Sequence, residues 1–277
     1  MQSFEFGAQR ITANGISVCY YRSGGDKPPV VLAHGMTDNS LCWSQVASGL
    51  THRYDVVLYD ARGHGQSESP ETGHDPETRA EDLRELVLAL GLERPRLLGH
   101  SMGAMTVALL AARHPELARC VVLEDPPMPP NPTQTLSEAD RGVLDEHWQN
   151  WRQRATAQKS MSRQKLFATC RNQSPHWHET EITHWVDAKL QASLDIFNSP
   201  NLMTSDWWQE LSRITCPSLL VTSDVERGAL VSEAAADVIR SLSRQGTVVR
   251  LPGAGHNIHR DQYDRFMSIV TDFFART

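Results

Sequence analysis

Six short, almost wholly apolar runs set the frame for this chain: Val30–Ala33, Asp55–Tyr59, Arg96–Leu98, Arg119–Leu123, Ser218–Thr222 and Thr247–Leu251. Runs of this length without polar alternation suit strands covered on both faces, the condition of a parallel sheet. Helical stretches lie between them. Pro76–Leu90 places Leu83, Leu86, Val87 and Leu90 at helical spacing and stops at Gly91, and the Ala/Leu-rich Ser101–Arg113 stops before Pro115. Ser232–Leu242 and Gln262–Ala275 are amphipathic and flank the last run. Strands alternating with helices predict the α/β class, a mostly parallel sheet with crossover helices. Ahead of these, Phe4–Thr12 and Ile16–Tyr21 are split by Asn14-Gly15, a hairpin signal because a type I′ turn needs positive φ at both central positions.

The rhythm breaks once. No strand-like run occurs from Pro126 to Arg213, and the stretch opens on the proline-rich Glu124–Pro132. Proline-rich segments are semi-rigid spacers, so an inserted helical lid over 126–213 is expected. The residues before and after it, 1–125 and 214–277, would form one core. Six of the seven tryptophans fall in the insertion: Trp148, Trp151, Trp177, Trp185, Trp207 and Trp208. That is more aromatic surface than a thin polar lid can hide within itself. Part of it should face the core or a ligand, and Trp148, Trp151 and Trp185 are the candidates for substrate contact.

Composition narrows the partners. A chain of 277 residues can bury a large core without a metal or disulfide staple. With 27 basic and 33 acidic residues it lacks the clustered positive charge that tracks phosphates, so nucleic acid is not an expected partner. Five unpatterned cysteines (Cys19, Cys42, Cys120, Cys170, Cys216) read as reduced thiols in a cytoplasmic setting. The opening MQSFEFGAQRITANG lacks a basic segment followed by an apolar one, and no run approaches the length of a membrane span. Neither export nor membrane insertion is therefore expected. The sequence does not determine the oligomeric state, a homodimer included.

The sharpest chemical signal is Gly99-His100-Ser101-Met102-Gly103, directly after a strand and opening a helix. A serine on such a tight turn projects at the carboxyl edge of the sheet, and the flanking glycines let backbones approach closely. A serine hydroxyl needs a base to become nucleophilic. Among twelve histidines, His256 stands in a glycine-rich loop after the last strand, on the same sheet edge as Ser101. His259, which begins the closing helix, is the lesser alternative. His176, His178 and His184 are spaced too loosely for a closed metal site and read as a solvated helix face. The main-chain N–H groups of Met36, after His34-Gly35, and of Met102, at a helix start, are candidate oxyanion donors. His34 and Gly35 are expected beside the substrate.

Together, His34-Gly35 after a strand, Asp60–Ser67 (DARGHGQS), Gly99–Gly103 and Gly253–His256 resemble the α/β-hydrolase superfamily in order and spacing. The resemblance covers nearly the whole chain outside the insertion. It implies a mostly parallel eight-stranded sheet and a structural, non-catalytic role for the Asp60–Ser67 turn. The acid that orients the histidine usually follows the strand after the lid, in a Gly-x-x-Asp-Pro pattern. Here that stretch reads Thr222–Gly228 (TSDVERG), with Glu226 at the expected place and Asp224 nearby. Some members, lactonases and an amide hydrolase among them, carry the acid after the strand that precedes the lid, where Glu124-Asp125-Pro126 stands. Asp125 is the preferred reading, ahead of Glu226 or Asp224 and of Glu124.

A Ser101–His256–Asp125 set supports acyl transfer to water with no cofactor, and the aromatic lid favours a small-molecule ester or lactone of bulky apolar character. The same triad could cleave an amide or a carbon–carbon bond next to a carbonyl. Outside catalysis, the pocket could serve a ligand receptor.

Overall fold

The computed structural model describes residues 6–129, 131–199, 201–242 and 245–277. Eight strands form one sheet in the order β1-β2-β4-β3-β5-β6-β7-β8: β1 (Gln9–Ala13), β2 (Ile16–Arg22), β3 (Pro29–Ala33), β4 (Asp55–Tyr59), β5 (Arg96–His100), β6 (Cys120–Glu124), β7 (Ser218–Thr222) and β8 (Gly246–Arg250). β1 and β2 form the expected hairpin, with φ of 47° at Asn14 and 78° at Gly15. β2 joins β4 antiparallel, and every pairing from β4 onward is parallel. β1 begins at Gln9, later than the expected Phe4. Residues 1–5 lie outside the described part, and 6–8 carry no strand pairing.

Alternation along the central strands builds two cores. Val31, Ala33, Leu97, Val121 and Leu123 face one side, against α2 (Pro76–Ala89), α3 (Met102–Arg113) and α7 (Glu233–Leu242). Val30, Leu32, Leu98, Val122 and Val221 face the other, against α1 (Ser44–Leu50) and α9 (Tyr263–Arg276). Both faces are covered, which is why these strands read as unbroken apolar runs. The edge strands β1 and β8 are the ones with exposed residues. α2 starts where Pro76 occupies the first turn and Asp75 accepts the Thr78 N–H at 2.8 Å.

From β3 the chain passes to β4 on one side and then to β5 on the other. The carboxyl ends of β3 and β5 therefore flank a point where strand order reverses, the place where open α/β sheets leave a crevice. Between β6 and β7 the described residues carry no strand. They hold α4 (Glu138–Lys159), α5 (Arg163–Gln173), α6 (Glu179–Gln191) and 3-10 turns at Leu194–Asn198, Leu202–Thr204 and Trp207–Arg213. α5 and α6 enclose a small core of their own with Leu166, Cys170, Trp177, Ile182 and Val186. The short α8 (Ile258–Asp261) precedes α9. All five cysteines are buried and unpaired, and no helix among the described residues is long and apolar enough to cross a membrane.

Candidate active site

Ser101 occupies the bend between β5 and α3 at φ 53°, ψ −118°. The bend needs its glycines. A Cβ on Gly99 would stand 2.2 Å from the Gly103 carbonyl oxygen, and one on Gly103 would stand 2.1 Å from that of Ala33. The Ser101 N–H donates to the Glu124 carbonyl at 2.8 Å, carrying the β5–β6 ladder into the turn. Ser101 lines a cavity of about 280 Å³ together with Met36, His100 and His256.

The loop after β8 delivers His256 to this cavity. Its Nδ1 lies 2.6 Å from Oδ2 of Asp125, which follows β6 and is fully buried at φ 43°. The Asp125 carboxylate also accepts the N–H groups of Leu230 and Val231 at 2.8 and 3.0 Å. Burial alone would lower the His256 pKa; the hydrogen bond and negative charge of Asp125 overturn that and hold it above the ordinary histidine value. The opposite ring edge is left for the cavity.

The loop is secured from several sides. His100 Nε2 donates to the His256 carbonyl at 2.9 Å, and burial pushes the His100 pKa down to about 3, so this ring is neutral. Its partner role escaped sequence reasoning, although its place beside Ser101 was the available signal. Asp224 accepts from the Gly253 N–H and from Arg250, and Ser223 Oγ lies within hydrogen-bond distance of the Leu251 and Ala254 carbonyls. Asp224 thus anchors the histidine loop rather than the imidazole. Glu226 is exposed on the turn beyond and has no contact with His256 among the described residues.

His259 has a separate partner. Its N–H and its Nδ1 both meet the buried Glu124 carboxyl at 2.9 Å, and its ring stacks on Trp43 at 4.2 Å. Burial raises the Glu124 pKa to about 7 and drives that of His259 well below the histidine range, so burial disfavours the charged form of each.

Neither His34 nor Gly35 is among the residues that line the cavity, although Gly35 packs close against His100 and Ser101. His34 is buried, with Nδ1 donating to the Gly35 carbonyl at 2.8 Å and Nε2 accepting the Ala61 N–H at 3.0 Å. Both ring nitrogens are consumed in shaping the turn after β3. Met36 does line the cavity, and Met102, as the first residue of α3, has an N–H with no intrahelical acceptor. In the Asp60–Ser67 turn, Arg62 pairs with buried Asp82 at 2.5 and 2.6 Å and is absent from the cavity wall.

The tryptophans divide by task. Trp148, Trp151 and Trp185 line the cavity, the first two meeting edge to face at 5.6 Å. Trp207 donates to the Pro127 carbonyl at 2.7 Å, while Trp177 donates to Asp261 at 2.7 Å and covers the Arg260 guanidinium at 4.8 Å. Sequence reasoning missed the charged wall of the cavity: Asp38, Arg154, Lys189 and Arg260. Lys189 and Arg260 are ion-paired with Asp38, whereas Arg154 is exposed and has no ion-pair partner among the described residues. His176 contacts Asp261 and His178 caps α6, and no three metal-ligating side chains converge among the described residues.

A serine on a tight turn, a histidine paired to a carboxylate and main-chain N–H groups at one cavity are the parts that acyl transfer uses. A family profile described as alpha/beta hydrolase fold matches residues 28–262. The chain is 29% identical over 277 residues to an N-formylmaleamate deformylase of Pseudomonas putida, covering 99% of this chain and 98% of the relative. The crystal structure of an E-2-(acetamidomethylene)succinate hydrolase superposes with a TM-score of 0.79 at 26% identity, covering 98% of this chain and all of the other. An enol-lactonase of Burkholderia xenovorans shares the fold at a TM-score of 0.76 and 22% identity, over 96% of this chain and all of the other.

Proposed function

Because the chain belongs to the alpha/beta hydrolase family, we propose that it hydrolyses a carboxylic ester or lactone through Ser101, His256 and Asp125. Ser101 Oγ bonds to the carbonyl carbon while its proton passes to His256 Nε2. Asp125 holds the tautomer that leaves Nε2 free and stabilises the imidazolium. The oxyanion accepts the N–H groups of Met36 and Met102. Collapse breaks the bond to the leaving alkoxide, which takes the proton from His256. Water then repeats the sequence on the acyl-enzyme, releasing the carboxylic acid and restoring Ser101. The step calls on side chains, main-chain donors and water alone.

The observation that carries this reading is the 2.6 Å Asp125–His256 contact on the rim of the cavity that holds Ser101. The helical insertion over 126–213 acts as the cap of a core formed by 1–125 and 214–277, and its Trp148, Trp151 and Trp185 favour a bulky apolar group. Five buried free thiols suit a cytoplasmic protein.

A second reading has its own support. Arg154 brings to the cavity a cation with no ion-pair partner among the described residues, and two relatives are named after carboxylate anions, a maleamate and a succinate. On this reading the scissile bond is an amide and a substrate carboxylate meets Arg154.

A panel separates the two: p-nitrophenyl esters of rising chain length, aromatic esters and macrolactones, set beside N-formyl and N-acetyl amides with and without a free carboxylate. The first reading expects turnover of uncharged esters indifferent to Arg154→Ala. The second expects preference for carboxylated amides and a KM that rises at least about tenfold in that variant, the loss of one charge-assisted contact. Ser101→Ala abolishes turnover on either reading and leaves ligand binding intact. A fluorophosphonate that fails to label Ser101 would make the pocket a receptor site instead.

A further inference from the structure

The turn that follows β3 is not self-supporting. Thr37, next to Met36, sits at φ 62°, a left-handed conformation that costs a β-branched residue energy unless its surroundings impose it. The restraint comes from the helical insertion. Lys189 of α6 donates to both the Thr37 carbonyl and Thr37 Oγ1 at 2.8 Å, and lies 3.3 Å from Asp38 Oδ1. Its side chain is nine-tenths buried and its ammonium leans on the Trp185 ring at 5.0 Å. An ammonium has three protons, and these three oxygens occupy all of them. Lys189 therefore lines the cavity without a donor to spare for a substrate.

The same helix holds the opposite flank. Glu181, two turns earlier on α6, accepts from Arg260 Nε at 3.1 Å, and Arg260 Nη2 donates to Asp38 Oδ2 at 3.1 Å. Arg260 belongs to α8, four residues after His256. Burial would raise the Asp38 pKa; Arg260 and Lys189 outweigh it and hold this carboxyl well below the usual range, whereas burial pushes Glu181 up to about 7. One helix of the insertion is thereby joined to both loops that approach the reacting carbon.

We propose that Lys189 is a positioning residue that holds the Met36–Asp38 turn in its left-handed kink and so aims the Met36 N–H at the reacting oxygen. This rests on the acyl-transfer reading. An oxyanion donor must stand within hydrogen-bond distance of the place the oxyanion will occupy, and loss of a whole donor costs about 10²–10³ in kcat. A released turn misplaces the donor without deleting it.

The test compares Lys189→Met, Lys189→Arg and Thr37→Val with the full-length wild type on an uncharged activated ester, and follows fluorophosphonate labelling of Ser101 in parallel. Lys189→Met should lower kcat by about 10–100-fold with KM changed less than about threefold, and slow labelling to match. Lys189→Arg should recover most of the loss, and Thr37→Val, which deletes one acceptor of nearly unchanged shape, should show a smaller loss of the same kind even where Lys189→Met folds poorly. Unchanged kcat and labelling in both Lys189→Met and Thr37→Val would overturn the assignment. A rise in KM at unaltered kcat would overturn it too, making Lys189 a substrate contact. A wild type that is neither active nor labelled would instead remove the acyl-transfer reading, and the positioning role with it.

Discussion

Asp125 and His256, 131 positions apart in the chain, meet through a 2.6 Å contact in which a fully buried carboxylate faces Nδ1 of a partly exposed ring. Two main-chain N–H groups, from Leu230 and Val231, also donate to that carboxylate, so its orientation does not depend on the histidine. Asp125→Asn keeps the shape and presents an amide where Nδ1–H needs an acceptor. We expect kcat to fall at least about 10³-fold with the fold intact, while Glu226→Gln stays within about tenfold of wild type. Steady-state kinetics on one activated ester, with circular dichroism as the folding control, decides between the two carboxylates.

The same contact sets the pH response. A general base must be unprotonated, and the Asp125 interaction raises the His256 pKa against the opposing effect of burial. Activity should therefore climb with pH through an inflection above about 6.5, the ordinary histidine value. In Asp125→Asn the charge is gone and burial dominates, so the inflection of the residual activity should move down. A pH profile of kcat/KM for both proteins measures this directly.

Glu124, one residue earlier, should behave differently. Its buried carboxyl meets the His259 N–H and Nδ1, and burial disfavours charge on both groups. Glu124→Gln retains one donor and one acceptor in nearly the same places and should cost less than about 1 kcal/mol, whereas Glu124→Ala strands the His259 N–H and Nδ1 and should cost at least about 2 kcal/mol. Chemical denaturation ranks the two. A large loss in the glutamine variant would mean that the pair is ionic.

Arg62 tests the structural role of the Asp60–Ser67 turn. Arg62→Ala leaves Asp82 buried without its cation and should destabilise the fold by about 3–5 kcal/mol, lowering Tm by roughly 10 °C. Thermal unfolding of the variant checks it. Unchanged Tm would assign the pair no structural weight.

Much of the frame was legible because the period of the apolar pattern carries it. β3 through β7 are covered on both faces, and their sequences show it; β1, an edge strand with exposed residues, begins at Gln9 rather than at the expected Phe4. Ser101 and Asp125 each follow a strand directly, and His256 stands in the glycine-rich loop after β8, so local sequence already assigns all three to one edge of the sheet. Proximity in sequence to Met36 does not say which way a turn faces: the His34 ring is spent on the Gly35 carbonyl and the Ala61 N–H inside that turn. The Asp38–Arg260–Glu181–Lys189 network was invisible for a different reason. A lysine and a glutamate on a polar helix look like a solvated face, and only the docking of α6 on the β3 turn and α8 buries them together.

The crowding around Gly99 and Gly103 separates the shape of the bend from the reagent it displays. Backbone contacts on either side impose the curvature, and nothing in those contacts involves the hydroxyl at position 101. A thiol or a carboxylate installed there would inherit the same lookout over the same chamber. The displayed side chain can change without touching that contour, whereas a change of contour would need the centre of the sheet rebuilt.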